Sequence, residues 1–226
     1  MPFEIADDPG TDYRELVRTA YDRCAEAYAG QRLTAAGPEL DWITGRLTAG
    51  SRILDVGCGS GAPVTRHLAA SFEVTGIDIS SGMIALARKN APAAGFVTGD
   101  VMEIDFPAGG FDGIVSFYAV FHISREFHLD LFRRFARWLR PGGLLLVTLA
   151  EKDDGPGYTE EAFFGETMYW SNFGPSTYRK LLAEAGFRIE REGVVRGGYD
   201  GVEAQEEVHP IYLAARAANQ PPAGPS

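Results

Sequence analysis

The sequence predicts an α/β fold built on a doubly wound parallel sheet. Three observations carry that expectation: short apolar runs alternate with stretches of helical period between residues 52 and 149, a glycine-rich loop follows the first run, and successive runs end on or beside aspartate. Strands that alternate with helices of this length form parallel βαβ units, because a parallel pair needs a crossover to bring the chain back.

Over 11–31, Tyr13, Leu16, Val17, Ala20, Tyr21, Cys24, Ala25 and Tyr28 recur at three- and four-residue steps, which predicts an amphipathic helix ahead of the sheet. A shorter helix is expected over 38–47, with Pro38 in its first turn, Leu40, Ile43 and Leu47 on one face, and Gly50 beyond its end. Strands are expected at 52–56, 73–77, 95–98, 113–117 and 144–149, and helices at 63–70, 81–90 and 125–139. Pro141-Gly142-Gly143 reads as a turn whose proline stops a helix and whose glycines launch the fifth strand. The pattern then breaks over 151–175 into Gly, Asp and Pro mixed with aromatic residues, a composition expected of a lid over a binding site. A helix at 176–185 ends on Gly186, and strands at 187–195 and 208–215 follow. The expected organisation is a helical cap (1–50), a ligand-binding core (51–150), a substrate lid (151–175), a helix and strand pair completing the sheet (176–216) and a disordered tail (217–226).

With 226 residues, 45% of them hydrophobic, the chain can close one full core. Its 31 acidic and 21 basic residues give a net charge of -10, which repels a polyanion, so no nucleic-acid partner is expected. Cys24 and Cys58 read as free thiols of a reducing compartment. The first residues lack a basic start and no apolar run is long enough to span a bilayer, so a cytoplasmic protein with no membrane partner is expected, as a monomer or homodimer.

The run Ile53-Leu54-Asp55-Val56 enters Gly57-Cys58-Gly59-Ser60-Gly61, and Pro63 opens the next helix. Such a loop lets a ligand approach the main chain and aims free N–H groups of a helix start at it. Asp78 closes the second strand, where a carboxylate can accept both hydroxyls of a ribose. Asp100 closes the third and can accept from an adenine amino group, with Met83 and Met102 as apolar faces for the ring. Singly, such a strand-end aspartate is more often a cap or turn residue. Together with the glycines they favour a nucleotide-like ligand.

This block resembles the class I S-adenosylmethionine-dependent methyltransferases of the small-molecule type. The family's first motif is matched by Asp55-Val56-Gly57-Cys58-Gly59-Ser60-Gly61, its ribose acid by Asp78, its adenine-side acid by Asp100 and Val101, and its fourth-strand motif by Phe111-Asp112-Gly113-Ile114-Val115-Ser116-Phe117. Leu139-Arg140-Pro141-Gly142-Gly143 is similar to a later signature, and Tyr21-Asp22-Arg23-Cys24-Ala25-Glu26-Ala27-Tyr28 to a pattern of the leading helix. The resemblance implies a Rossmann-like, mostly parallel seven-stranded sheet with an antiparallel last strand. It implies S-adenosyl-L-methionine as cofactor, with Asp55 near its ammonium, carbonyls near Ser116 and Phe117 adding to its binding, Tyr28 reaching over it, and Gly57, Cys58, Gly59, Gly61, Ile79, Met83, Val101 and Met102 around it.

The acceptor side is read from position. His122 and Tyr118 follow the fourth strand, outside the carboxyl ends where ligands sit, and are the candidate catalytic residues; hydrogen bonding to loop backbone or shaping of the cofactor pocket is the alternative for His122. Met168, Tyr169, Trp170 and Phe173 in the lid, with Tyr21 of the leading helix, are candidate substrate contacts. His128 is expected on a surface or interface, and His209 near the site only if the sheet edge curls over it. The histidines show no metal-ligand spacing, so no metal is expected. The expected function is methyl transfer to an O or N atom of a small organic molecule, a specialised metabolite among the candidates. Two alternatives stay open: a non-methylating cofactor binder (a regulator or cyclase-like member), and an NAD-dependent oxidoreductase, since Gly57-x-Gly59-x-x-Ala62 with Asp78 also fits a dinucleotide fingerprint.

Overall fold

The structure, a computed structural model, describes residues 12–31, 36–196 and 208–218. The expected tail beyond residue 218 lies outside the described residues. Five strands, β1 (Arg52–Val56), β2 (Glu73–Asp78), β3 (Gly95–Thr98), β4 (Phe111–Ser116) and β5 (Leu139–Thr148), pair in parallel in the order β3-β2-β1-β4-β5. The sheet grows to seven strands through β9 (Val208–Arg216), antiparallel to β5, and β8 (Phe187–Arg196), antiparallel to β9. Chain direction across the sheet therefore reverses between β1 and β4. At such a switch point the loops leaving two neighbouring strands part and open a crevice beyond their carboxyl ends.

Alternation along the strands sends their apolar side chains to two faces. Leu54, Val56, Ile114, Leu145 and Val147 pack with Phe132, Phe135 and Trp138 of α5 (His128–Trp138) and Tyr178 of α6 (Pro175–Glu184). Ile53, Val115, Leu144 and Leu146 pack with Leu40, with Ile43 of α2 (Asp41–Thr44) and with Leu68 of α3 (Val64–Leu68). The helix α4 (Ser81–Asn90) follows β2, and α1 (Tyr13–Gln31) lies across α4 and the lid.

Three local expectations need correction. The helix expected over 38–47 is a 3-10 turn, Pro38–Leu40, running into the single turn of α2, although Leu40 and Ile43 are buried as the pattern required. Pro141-Gly142-Gly143 does not precede β5 but bulges out within it. Leu139 pairs with Phe111 and Leu144 with Gly113, so residues 140–143 loop out opposite Asp112, whose carboxylate accepts from Arg140 Nε at 2.6 Å and from the Arg52 N–H at 2.8 Å. A proline cannot donate to the ladder, and the bulge removes it from the ladder. Finally, the lid is a hairpin of β6 (Tyr158–Phe163) and β7 (Glu166–Trp170). Its two-residue turn, Phe164-Gly165, has φ of 51° and 83°, the double positive φ of a tight hairpin turn that usually advertises itself as Asn-Gly or Asp-Gly.

Candidate functional site

The cleft beyond β1, β2 and β4 is roofed by α1. Its floor is Val56, Gly57, Ile77, Asp78, Ile79, Gly99, Asp100 and Val101, its far wall Ala119, His122 and Ile123, and its roof Tyr13, Arg14, Val17 and Tyr21; it encloses about 90 Å³. A smaller hollow of about 40 Å³ lies on the other side of Gly57, among Tyr28, Asp55, Cys58, Gly59 and Phe117. Gly57 (φ 69°) separates the two, and a Cβ on it would stand 2.3 Å from the Ala119 Cβ, so only glycine fits.

The glycine loop and the three aspartates are brought together. Asp55 is almost wholly buried and accepts from Thr65 Oγ1 at 2.6 Å; burial, with the Asp78 charge adding to it against the Thr65 bond, pushes its carboxyl up to about 7. Asp78 accepts the Gly59 N–H through one oxygen and the Ser80 N–H through the other, both at 2.9 Å. Burial pushes it up to about 6 despite those two bonds. The loop thus bends around the Asp78 carboxylate. Asp100 accepts the Met102 N–H at 2.8 Å, and Arg14 Nε of the roof stands 3.2 Å from its other oxygen.

The roof is fastened at a second point that the sequence reading did not assign. Asp22 accepts from Ser80 Oγ at 2.7 Å, the Gly82 N–H at 2.8 Å and Ser81 Oγ at 3.3 Å, so a side chain of α1 caps the start of α4. Burial opposes its charge, yet these donors and Arg18 hold its carboxyl below the usual aspartate value.

His122 is buried, with Nδ1 2.9 Å from the Tyr169 carbonyl and Nε2 2.8 Å from the Tyr21 hydroxyl. A carbonyl only accepts, so Nδ1 carries the proton, and Nε2 accepts from Tyr21. Burial pushes the imidazole down to about 4, which leaves it neutral, and its ring lies 4.5 Å from that of Trp170. Tyr118 is placed otherwise. It lines neither the cleft nor the hollow; its hydroxyl donates to the Arg196 carbonyl at 2.8 Å and its N–H to Thr148 Oγ1 at 2.7 Å.

Of the other predicted contacts, Ile79 and Val101 line the cleft, and Tyr28, Cys58, Gly59 and Phe117 the hollow. Gly61 lies just past the hollow, its Cα backed against the Ala87 backbone of α4. Ser116 bonds the Val56 carbonyl at 3.1 Å and ties β4 to β1. Met83 packs under α1 with Cys24, Ala25 and Tyr28, and Met102 packs against the main core, so neither faces the cleft. In the lid, Met168 and Tyr169 are buried against Val17 and Ala20 of α1, and Phe173 packs against His128 and Tyr178. Trp170 alone of these faces an opening.

His128 is fully buried, contrary to expectation. Its Nε2 lies 2.9 Å from the Ile123 carbonyl and its Nδ1 3.3 Å from the Tyr178 hydroxyl, which also accepts the Phe173 N–H at 3.2 Å. The chain ties the turn carrying His122 to the end of the lid. His209 does reach the site region: its ring stacks on Phe121 at 5.6 Å. Among the described residues no cluster of metal ligands occurs and no helix is long and apolar enough to cross a membrane.

A family model described as a methyltransferase domain matches residues 53–143. The chain is 33% identical over 150 residues to phosphoethanolamine N-methyltransferase 3 of Arabidopsis thaliana, a match covering 62% of this chain and 29% of that protein. It is 38% identical over 108 residues to 27-O-demethylrifamycin SV methyltransferase of Amycolatopsis mediterranei, covering 45% of this chain and 39% of the relative. The match thus spans well under half the length of these curated relatives. Among solved structures, the fold superposes with a TM-score of 0.69 on 1,6-didemethyltoxoflavin-N1-methyltransferase of Burkholderia thailandensis, solved with 1,6-didemethyltoxoflavin and S-adenosylhomocysteine; 95% of each chain is covered at 19% identity.

Proposed function

Because the chain belongs to the class I S-adenosylmethionine-dependent methyltransferases, we propose that it transfers a methyl group from S-adenosylmethionine to an O or N atom of a small organic molecule. The observation that carries this reading is the placing of Asp78 and Asp100 on the cleft and of Asp55 on the adjoining hollow, on either side of Gly57. The residues fit the cofactor. A buried Asp55 carboxyl raised to about 7 with one hydroxyl donor is a site short of a cation, which the cofactor's ammonium supplies. Asp78 would hold the ribose hydroxyls with its remaining lone pairs, and Asp100, once freed of Arg14, would accept from the adenine amino group. Tyr28 and Phe117 line the hollow and would close over the amino-acid end.

The cofactor supplies an electrophilic methyl carbon, so the protein's share of catalysis is alignment and exclusion of water. For an acceptor that must lose a proton, Tyr21 takes that proton on its oxygen and passes its own to His122 Nε2, whose lone pair is held ready by the Nδ1–H bond to Tyr169. His122 is thus the base and Tyr21 its relay; Tyr118 anchors β8. A cytosolic setting belongs to the same reading, supported by Cys24 and Cys58 being free thiols.

Calorimetry with S-adenosylmethionine, S-adenosylhomocysteine and NAD tests the donor. Micromolar binding of the first two is expected; binding of NAD alone overturns the reading. Formation of S-adenosylhomocysteine on incubation with acceptors then separates a transferase from a silent cofactor binder.

A further inference from the structure

The cleft encloses about 90 Å³, well under the roughly 300–1,000 Å³ of sites that hold small molecules. A larger cavity of about 570 Å³ opens on the Phe121 side of the Phe121-His122 turn, among residues 150–158, Trp170, Asn172 and the start of β9. It shares no lining residue with the cleft, so its room does not serve a ligand seated on Asp78 and Asp100. Space for an adenosine therefore comes from a wall that moves. The first turn of α1 is placed to be that wall.

Two contacts draw that turn across the cleft. On one side Arg14 Nε stands 3.2 Å from Asp100 Oδ2, and Arg14 Nη1 donates to Glu103 at 3.1 Å. On the other, the Tyr13 hydroxyl bonds to the backbone of Ser124, next to Ile123 of the far wall. The two oxygens of Asp100 are placed differently. Oδ1 accepts the Met102 N–H and is committed to the turn after β3. Oδ2 is buried and accepts no hydrogen bond among the described residues. Arg14 covers it without donating to it, the Nε–H being aimed at the Tyr13 oxygen at 3.4 Å. A buried carboxylate oxygen in that state remains a strong acceptor, and no donor from outside reaches it while the guanidinium stays.

We infer that Arg14 is an internal competitor for the cofactor: in the ligand-free chain its guanidinium holds the place on Asp100 that the adenine amino group takes, and the first turn of α1 is a clasp that the adenosine displaces. The inference rests on the reading of Asp100 given above. The remainder of α1 stays in place, because Asp22 fastens it to α4 and Tyr21 meets His122, about two helical turns beyond Arg14. A helix end opens locally at far lower cost than the whole helix. The clasp is also weak enough to yield. Arg14 is about a third exposed, and such an ion pair biases an equilibrium by no more than about fivefold. Apparent affinity falls with the fraction of molecules held shut, so the clasp slows entry and leaves the departure of a bound cofactor unchanged.

Stopped-flow and calorimetric binding of S-adenosylhomocysteine to the full chain and to Arg14→Gln tests this. That ligand carries no net charge, so removing an arginine does not alter long-range steering. Arg14→Gln is expected to bind about threefold tighter, with the gain in the association rate and the dissociation rate within about twofold of the parent. Salt at about 0.5 M screens the ion pair, so the parent gains affinity there while Arg14→Gln does not. In an Asp100→Asn background, where the arginine has nothing to occupy, Arg14→Gln brings no gain. Weaker binding by Arg14→Gln makes the arginine a contact to the bound cofactor and overturns the inference. So does a gain that lies in dissociation alone, or one that survives Asp100→Asn. Equal binding by parent and Arg14→Gln defeats this inference alone; failure of both to bind S-adenosylhomocysteine defeats the transferase reading as well.

Discussion

The pairing of Tyr21 with His122 joins residues 101 positions apart, and it is the contact on which the proposed proton route depends. Each partner was visible in the sequence: Tyr21 in a helical motif and His122 beyond the fourth strand. Their meeting was not, because periodicity places a side chain on a face without saying which distant group that face will touch. The same limit explains His128, whose character as a helix residue was legible while its buried bonds to Ile123 and Tyr178 were not. Tyr118 shows the reverse error, since position after a strand suggested chemistry where the backbone, at φ 57°, carries the hydroxyl to the Arg196 carbonyl instead. If the relay is used, Tyr21→Phe lowers kcat by roughly 10²-fold while the calorimetric affinity for S-adenosylhomocysteine stays within about threefold. A kcat within a few-fold of the parent would reduce the pair to positioning. His122→Asn should resemble Tyr21→Phe and add little to it, because both interrupt one path.

At the scale of elements, α1 was the easiest to foresee and β6–β7 the hardest. A helix of nineteen residues repeats its apolar stripe five times over, whereas a hairpin of short strands with Phe164-Gly165 at its turn repeats nothing and lacks the usual turn dipeptide. The core strands were legible because parallel strands buried on both faces read as apolar runs. The cleft depends on α1, which provides the roof, the Tyr21 hydroxyl and the Arg14 guanidinium, and is held to α4 chiefly by Asp22. Removing that carboxylate strips a cap from α4 and a fastening from the roof. Asp22→Ala is expected to cost roughly 1 kcal/mol in denaturant unfolding and to speed amide exchange across residues 13–31 more than in the sheet. Uniform exchange across the chain would place the role of Asp22 elsewhere.

Across the whole molecule, the charge on the site works against the fold that holds it. Asp55 and Asp78 both titrate above the ordinary aspartate value, so the folded chain keeps their protons where the unfolded chain has released them. Stability from this source is present below about pH 4 and is lost as pH rises through about 6 to 7. Affinity for a cationic ligand runs the other way and grows over the same interval, as Asp55 becomes charged. Asp55→Asn should therefore raise the stability of the ligand-free protein at pH 8 by roughly 1–3 kcal/mol and weaken S-adenosylhomocysteine binding at least about tenfold. Thermal melts with and without ligand at pH 5 and pH 8 read both effects, and a variant less stable than the parent at pH 8 would contradict the assignment of Asp55 as an uncompensated buried acid.

The two openings on either side of the Phe121-His122 turn draw their walls from different stretches of chain. One is furnished by the ends of β1, β2 and β3 with α1; the other by residues 150–158, Trp170, Asn172 and the start of β9. Substitutions in the second set can accumulate without loosening the first. A lineage built on this plan is free to remodel the second opening while inheriting the first intact, and a designer who exchanges the hairpin and its entry loop works along the same seam.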